Sequence, residues 1–358
     1  YYFRGHNLKL QGDVGSLRTE GQKETKTGAV SPRDNMEYRL QAQFIFWLAT
    51  ATTKAKETAM RTRTMMWTLC GAGAAALVVV AAAPAGAANI TVKGSDTMVI
   101  LAQRWAETYM KKNPAATIQV TGGGSGTGIA ALINKTTNLA NSSRPIKAEE
   151  IAKASANGVD PGEYKVAMDA LAVVVSSNNA VKELSMSQLN GIYRGDINDW
   201  GEVGGTPGRI MRYCRESNSG TYVFVKEHVL QNGDYAADCQ TMPGTSAVAE
   251  AVSRDKNGIG YGGVAYFATI AALRVLPIKK TDGTPAVMPL RNGKPDNEVV
   301  WNGEYPIARW LYMYTTGKSS PEEKAYLDWI MGPEGQQVVA DIEYVPLKGV
   351  LDQKGLPR

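Results

Sequence analysis

Four short segments of this chain combine glycine with hydroxyl side chains, each where a strand-like run passes into a helix-like one. A helix N-terminus presents unpaired backbone N–H groups and the positive end of the helix dipole. Glycine allows an anion close to that backbone and Ser or Thr adds hydroxyl donors, so the combination is typical of a site for a small tetrahedral oxyanion. The segments are residues 94–97 (GSDT), 122–128 (GGGSGTG), 141–145 (NSSRP) and 215–221 (RESNSGT).

Each motif also has a purely structural interpretation. Ser95 and Ser219 are equally compatible with ordinary helix N-caps, and the glycines at 122–124 with a flexible turn. Arginine is most often a surface charge, but Arg215 stands among hydroxyl residues, which favours a role in anion binding. Arg144 also stands beside hydroxyl residues, and the sequence is equally compatible with a surface charge and with an anion-binding residue at this position.

The motifs of common enzymes are missing. Segment 123–127 (GGSGT) departs from the G-x-S-x-G nucleophile motif at its last position, and His228 is the only histidine after residue 88. No G-x-x-x-x-G-K-[ST] motif is present for nucleotide phosphates. These observations predict a binding protein and no catalytic residues. A phosphatase or a secreted surface-interaction protein is the alternative.

The elements around the four segments alternate between strand and helix patterns. Runs 90–93 and 117–120 read as strands, and apolar residues fall at helical spacing after each of them. Run 171–175 (LAVVV) is typical of a strand that is buried on both faces. The alternation predicts an α/β fold with mostly parallel sheets, in which ligands bind at the carboxyl ends of the strands.

A secretory signal peptide is predicted at residues 60–88. It has a basic start, an apolar run and small residues that place the mature N-terminus at Ala88 or Asn89. The apolar run is short for a membrane span, which favours a cleaved signal peptide. A retained membrane anchor is the alternative. Residues 1–59 are predicted to be a disordered, non-native extension upstream of a true start at Met60, with a disordered cytoplasmic extension as the alternative.

The chain beyond the signal peptide is electrically balanced. Of 39 Lys or Arg and 34 Asp or Glu, residues 1–88 hold 11 and 6, which leaves 28 of each. The balanced charge therefore gives no indication that this part of the chain binds nucleic acid. Cys214 and Cys239 are the cysteines of this part, and two cysteines in an exported chain predict a disulfide. This part of the chain has one histidine and no CxxC pair, so we expect no zinc site, no other metal and no redox cofactor.

Five motifs together resemble a known family. Residues 93–97 (KGSDT), 121–128 (TGGGSGTG), 141–147 (NSSRPIK), 215–221 and 258–262 (GIGYG) are similar in order and approximate spacing to the phosphate-binding proteins of bacterial phosphate ABC transporters. The resemblance covers nearly all of residues 89–350. Its most specific element is the arginine that stands six positions before the threonine of segment 215–221.

The resemblance implies a particular division of the chain. It implies the two-lobed, type II-like periplasmic binding protein fold, α/β with mostly parallel sheets and two hinge crossings, near residues 169–173 and 260–264. The first lobe is then discontinuous. The implied bounds are 89–170 and 264–350 for the first lobe, 171–263 for the second lobe and 351–358 for a C-terminal tail.

The resemblance also implies a function. It implies an exported, monomeric receptor, periplasmic or secreted after signal-peptide cleavage, that captures inorganic phosphate between its lobes for a membrane ABC permease. Arginine would supply a planar charged fork, and hydroxyls and amides would satisfy the remaining phosphate oxygens. The implied phosphate-binding residues are Ser95, Asp96, Thr97, Met98, Ser125, Gly126, Thr127, Ser143, Arg144, Arg215, Ser219, Gly220 and Thr221.

One position departs from the family pattern. The familiar phosphate binders carry a carboxylate where this chain has Ser143, and that carboxylate accepts the proton of hydrogen phosphate and so excludes sulfate. We expect Asp96 to take this role here and Glu216 to be the partner of Arg215. Another tetrahedral oxyanion, sulfate or arsenate, is the alternative ligand.

Overall fold

The computed structural model describes residues 88–351. The predictions made for residues 1–59, for the signal peptide up to residue 87 and for residues 352–358 therefore lie outside the described residues. Within residues 88–351, no helix is long and apolar enough to cross a bilayer.

The first half of the described chain alternates strand and helix as the sequence pattern predicts. Apolar side chains at helical spacing, such as Leu101 and Trp105, bury one face of the first helix, while Ile90 and Ile118 pair across two parallel strands. The elements are β1 (Ala88–Gly94), α1 (Val99–Lys112), β2 (Ala116–Thr121), α2 (Ser125–Ile133), β3 (Leu139–Ser142), α3 (Ala148–Ala156) and β4 (Gly162–Ser176).

The middle of the chain continues with shorter elements whose ends carry clear sequence signals. Ser185 and Gln188 form a capping box at the start of the next helix, and Gly195 ends it in the left-handed conformation. The elements are β5 (Leu184–Ser185), α4 (Met186–Arg194), β6 (Met211–Arg215), α5 (Gly220–His228), β7 (Gln240–Met242), α6 (Thr245–Arg254) and β8 (Gly258–Gly263).

The last part adds short strands, one long strand and two helices. Pro321 and Pro333 stand at the first turns of these helices, where the missing N–H of proline costs nothing. The elements are β9 (Leu273–Val275), β10 (Ile278–Lys279), β11 (Ala286–Val287), β12 (Leu290–Arg291), β13 (Lys294–Pro295), α7 (Asn297–Trp301), β14 (Ala308–Thr315), α8 (Pro321–Met331) and α9 (Pro333–Asp341).

The main sheet is mixed rather than mostly parallel. Its strand order is β2-β1-β3-β14-β4-β8-β6-β7, with β9 also paired to β4. The outer pairs β1 with β2 and β3, and β6 with β7 and β8, are parallel, but β14 and β4 at the centre are antiparallel to each other and to their neighbours β3 and β8. The α/β class is confirmed. The prediction of mostly parallel sheets fails at the centre because two long strands run across it in opposite directions.

The two largest hydrophobic cores of the described residues lie along this sheet, and β4 contributes to both. Val166 and Ala167 pack in the first core with α1, α8 and α9, whereas residues 170–175 pack in the second core with α4, α5 and α6. All of these β4 residues are buried. The continuous apolar run in the sequence therefore marks a strand that is shared between two packing units.

Residues 264–307 pack differently from the sequence expectation, which assigned them to the first lobe. Their buried side chains, among them Phe267 and Ile307, belong to the second core. The cause is strand pairing, since β9 pairs with the second half of β4 and β10 pairs with β5. The chain returns to the first core only along β14, at Leu311.

A disulfide joins Cys214 to Cys239, as predicted, with the two Cα atoms 5.9 Å apart. Cys214 lies on β6, and Cys239 directly precedes β7, the parallel neighbour of β6. The helix after Arg215, α5, already ends at His228, so Cys239 lies in the segment between α5 and β7. The bond therefore ties together two neighbouring strands directly below the Arg215 segment.

We expect the double variant Cys214→Ala/Cys239→Ala to lose about 3 kcal/mol of unfolding free energy, because the bond closes a loop of 25 residues and restricts the unfolded chain. Urea denaturation followed by circular dichroism measures the loss. Parent protein in reducing buffer is the control and should lose a similar amount. Two free thiols in mass spectra of the native exported protein would contradict the assignment.

Candidate functional site

Hydroxyl groups from all four predicted segments converge at one buried place. The Oγ1 atoms of Thr97 and Thr221 lie 2.9 Å apart, and the Oγ atoms of Ser125 and Ser143 lie 3.4 Å apart. The backbone N–H of Ser143 donates to Ser125 Oγ at 3.1 Å. All four side chains are buried. Residues up to 124 positions apart along the chain thus form one cluster of hydroxyl groups.

Helix and strand ends position this cluster. Thr97 lies in a short 3-10 turn after β1, Ser143 follows β3, and Ser125 begins α2. Thr221 lies in the first turn of α5, whose N-cap Ser219 accepts hydrogen bonds from the N–H groups of Thr221 and Tyr222. The Ser219 hydroxyl is thus a helix cap, and the backbone that it holds carries Thr221 into the cluster.

The glycine-rich loop contacts the segment before α5 through Asn218. The N–H of Gly126 donates to the Asn218 carbonyl at 3.0 Å, and Asn218 Nδ2 donates to the Gly123 carbonyl at 3.1 Å and to Thr127 Oγ1 at 3.3 Å. Gly124 has a φ of 87°, and a Cβ there would lie 2.7 Å from the Asn218 carbonyl oxygen. Gly126 and Thr127 are therefore engaged in joining two of the predicted segments.

Gly220 lies so close to two serines that a side chain does not fit. A Cβ on Gly220 would lie 2.7 Å from Ser143 Oγ, and closer still to Ser125 Oγ. We expect Gly220→Ala to cost about 1–3 kcal/mol of stability through overpacking, to push α5 away from the cluster and thereby to weaken anion binding. Calorimetric titration measures the change. Gly283→Ala, where a Cβ meets nothing within 4 Å, is the control and should bind like the parent.

Arg215 is buried beside the cluster, but its partner is not the predicted one. Its Nη2 donates to Asp96 Oδ2 at 2.7 Å and its Nη1 to Thr245 Oγ1 at 2.9 Å, while Nε has no partner among the described residues. Glu216 is exposed to solvent. Glu216 follows the last residue of β6 and its side chain lies outside the buried strand. Asp96 of the first segment pairs with Arg215 instead.

Asp96 uses both carboxylate oxygens within the protein. Oδ2 accepts from Arg215, and Oδ1 accepts from the N–H of Gly123 at 2.7 Å. Its carbonyl oxygen accepts from the hydroxyl of Tyr266 at 2.6 Å. Burial raises the pKa of Tyr266 to about 12, so this phenol remains a neutral donor. Asp96 therefore links the first turn, the glycine-rich loop and Arg215.

Arg144 pairs its charge with a carboxylate outside the four segments. Its guanidinium makes a two-pronged ion pair with Glu150, with Nη1 to Oε2 at 2.8 Å and Nη2 to Oε1 at 2.7 Å, and also donates to the Pro145 carbonyl. Burial raises the pKa of Glu150, but hydrogen bonds from Arg144 and the Lys147 N–H outweigh it and lower the pKa overall. Arg144 thus holds the start of α3 through this ion pair, while its Nε has no hydrogen-bond partner among the described residues.

Two further predicted residues use their backbone groups locally. The N–H of Ser95 donates to the Asn141 carbonyl, and the N–H of Met98, expected to face the anion, donates to the Ser95 carbonyl at 3.0 Å. The Met98 side chain packs in the first hydrophobic core. These contacts hold the turn after β1 against the end of β3, and so place Thr97.

The sequence prediction missed a further buried arginine that contacts the cluster. Arg309 on β14 donates from Nη2 to Thr221 Oγ1 at 3.0 Å and to Thr97 Oγ1 at 3.4 Å, and from Nη1 to the Ser143 carbonyl at 3.2 Å. Its guanidinium carbon lies 5.3 Å from the ring centre of Phe224. Arg309 thus contacts three of the segments that make up the cluster.

Arg309 forms a completely buried ion pair with Asp169 on β4. Nε and Nη2 both donate to Asp169 Oδ2, at 3.1 and 2.9 Å, and the two residues are direct cross-strand partners in the β4–β14 register. Burial lowers the pKa of Arg309, and the charge of Asp169 opposes that shift. The signal in the sequence was a charged residue inside each of two apolar strands, since such residues are buried only when paired.

The site thus combines a cluster of hydroxyls with two arginines, each paired with a carboxylate. Within residues 88–351, no group of three His, Cys, Asp or Glu side chains lies close enough together to hold a metal ion. Convergent hydroxyl and N–H donors beside buried guanidinium groups can bind a tetrahedral anion without a metal.

Known proteins share this sequence and architecture. A PBP superfamily domain model matches residues 79–334. The phosphate-binding protein PstS of Pseudomonas aeruginosa is 34% identical over 286 residues, which cover 75% of this chain and 86% of that protein. PstS of Bacillus subtilis is 29% identical over 263 residues, which cover 72% and 81%.

A solved structure from Clostridium perfringens is similar as well. It was assigned as a phosphate ABC transporter substrate-binding protein, and it holds bound phosphate. Its TM-score to this chain is 0.63 at 26% identity, and the match covers 73% of this chain and all of that one. Residues 79–334, which the PBP superfamily model matches, include all four segments of the hydroxyl cluster. The chain belongs to the family of PstS phosphate-binding proteins within the PBP superfamily.

Proposed function

We propose that this protein is a solute-binding receptor that captures inorganic phosphate for import by an ABC transporter. The observation that carries the proposal is the convergence of the Thr97, Ser125, Ser143 and Thr221 hydroxyls beside the buried guanidinium groups of Arg215 and Arg309. A tetrahedral anion with several lone pairs per oxygen matches such a set of donors. The phosphate-binding relatives support the same ligand.

The two hydrophobic cores support a division into two lobes with the anion between them. We assign residues 89–170 and 308–350 to the first lobe and 171–307 to the second, with β4 and β14 as the two crossing strands. Thr97, Ser125 and Ser143 then come from the first lobe, and Arg215 and Thr221 from the second. Closure of the lobes around the anion would exclude water and strengthen every polar contact.

We further propose that the receptor is exported, loses residues up to Ala87 or Ala88, and delivers phosphate as a monomer to a membrane permease. The predicted signal peptide and the Cys214–Cys239 disulfide support export, since disulfides persist outside the cytoplasm. Edman sequencing of the exported protein tests the processing. A secreted form that retains residues 1–59 would contradict it.

Isothermal titration calorimetry with inorganic phosphate tests the central proposal. We expect saturable binding of one phosphate per chain and no turnover of p-nitrophenyl phosphate by the same preparation. Arsenate and sulfate titrations establish which tetrahedral anions are accepted. Absence of any phosphate heat, or saturable binding of sulfate alone, would refute the assignment, and steady release of p-nitrophenol would point to a phosphatase.

A further inference from the structure

A receptor that binds phosphate must distinguish it from sulfate, which has almost the same size and shape. Near neutral pH phosphate carries a proton, whereas sulfate carries none. A buried carboxylate in contact with the anion accepts that proton and repels an anion that has none, so discrimination comes from a repulsive contact. This inference rests on the proposed function, and it concerns which carboxylate supplies the contact.

The carboxylate that the sequence suggested is fully engaged elsewhere. Both oxygens of Asp96 accept hydrogen bonds, one from Arg215 and one from the Gly123 N–H. Glu150 is likewise occupied by Arg144 and by the N–H of Lys147. An acceptor for the anion's proton needs an oxygen that the protein leaves available.

Asp169 has such an oxygen. The residue is completely buried, both donors of Arg309 fall on Oδ2, and Oδ1 has no hydrogen-bond partner among the described residues. An arginine can instead place one donor on each carboxylate oxygen, which would satisfy both. Leaving a buried acceptor unpaired costs free energy, and such an exception calls for a ligand or another specific explanation.

The carboxylate of Asp169 lies close to Thr97 of the hydroxyl cluster. A Cβ built on Gly263 would lie 3.2 Å from Asp169 Oδ1, 3.4 Å from Oδ2 and 3.0 Å from the methyl carbon Cγ2 of Thr97, so the carboxylate and Thr97 face one small space that glycine leaves unfilled. Nη2 of Arg309 bridges the same groups, because it contacts Asp169 Oδ2 and the hydroxyls of Thr97 and Thr221.

The surroundings of Asp169 make its charge effective. The hydroxyl of Tyr305 donates to the Leu171 carbonyl at 2.8 Å, and Tyr344 donates to the Thr97 carbonyl, so neither phenol is used on the carboxylate. Both rings are buried. Aromatic side chains keep water from this side of the site, and charge acts most strongly where water is excluded.

We propose that Asp169 is the residue that selects phosphate over sulfate, by accepting the anion's proton on Oδ1, and that Arg309 is a second cationic ligand of the anion. Arg309 neutralises Asp169 enough for an anion to approach, while both of its donors on Oδ2 keep Oδ1 turned to the ligand. The selecting carboxylate thus comes from a strand shared by the two cores and not from the four glycine- and hydroxyl-rich segments.

Competition titrations with three anions test this proposal. Sulfate lacks a proton, and monofluorophosphate has the charge and nearly the shape of hydrogen phosphate but fluorine in place of its hydroxyl. We expect the parent protein to bind phosphate about 100-fold or more tightly than either anion. Parent protein that accepts monofluorophosphate as well as phosphate would overturn the proposal without any variant.

The Asp169→Asn variant identifies the residue. Its amide can donate to an anion that has no proton, so we expect the preference for phosphate over sulfate to fall by about 100-fold. Asp96→Asn is the matched comparison and should weaken both anions while the ratio of their affinities stays as in the parent. If the ratio of phosphate affinity to sulfate affinity changes in Asp96→Asn and not in Asp169→Asn, selection belongs to Asp96 and the proposal is overturned.

Folding and function remain separable in this experiment. If Asp169→Asn does not give a cooperative thermal transition, the double variant Asp169→Asn/Arg309→Gln replaces it, because it keeps an uncharged, hydrogen-bonding pair. We expect the double variant to show the same loss of preference for phosphate over sulfate. Parent protein that binds no phosphate contradicts the proposed function itself. Parent protein that binds phosphate selectively, with an unchanged ratio in the folded variants, contradicts only the role of Asp169.

Discussion

Replacing Arg215 by alanine is expected to weaken phosphate binding by about 2–3 kcal/mol, roughly 30- to 150-fold. The guanidinium is buried and held by Asp96 and Thr245 in a fixed orientation, and its Nε has no partner among the described residues. The variant would lose a charged donor to the anion and would also leave Asp96 without its cation. Calorimetric titration with phosphate measures the change.

Arg144→Ala is the matched control for this prediction. Both arginines are buried, and each has an Nε without a partner among the described residues. Their carboxylate partners differ, because Arg144 pairs with Glu150 on α3, outside the cluster. Arg215 pairs instead with Asp96 of the first segment. Arg144→Ala should therefore lower thermal stability while phosphate affinity remains within a few-fold of the parent. Equal affinities of the parent and Arg215→Ala, or an equal loss in both variants, would disprove the assigned role of Arg215.

Replacing Arg309 by alanine is expected to lower the unfolding free energy by about 3–5 kcal/mol, because it leaves the completely buried carboxylate of Asp169 without its cation. Urea denaturation of the phosphate-free protein measures this loss separately from any effect on binding. The pair lies on the two central strands of the sheet, so the loss should appear in the global unfolding transition and not in local fraying.

A double-mutant cycle isolates the interaction. Asp169→Ala/Arg309→Ala removes both charges, and we expect it to be more stable than Arg309→Ala alone, since the uncompensated charge is gone. Arg209→Ala is the control: its ion pair with Asp238 is mostly exposed and should contribute no more than about 1 kcal/mol. A loss in Arg309→Ala no larger than in Arg209→Ala would show that the buried pair is not required for stability.

The local elements of this fold could be predicted from the sequence because their signals are local. Apolar residues at helical spacing predicted α1, the alternation of strands and helices predicted the α/β class, and cysteine usage predicted the disulfide. The direction of β14 and the packing of residues 264–307 could not be predicted in this way. Both depend on pairing with β4, which lies far earlier in the chain, and strand pairing over that distance leaves no periodic pattern.

The candidate site likewise contains residues with local sequence signals and residues that only long-range packing brings together. The sequence by itself indicated the hydroxyl residues that converge there, because glycine- and hydroxyl-rich segments at strand and helix ends are local patterns. Only the tertiary structure decided which charges meet there. Arg215 pairs with Asp96 at a separation of 119 residues and Arg309 with Asp169 at 140 residues, whereas Arg144 is neutralised six residues away. Charge pairing depends on distance in space, and that distance is set by strand register and packing.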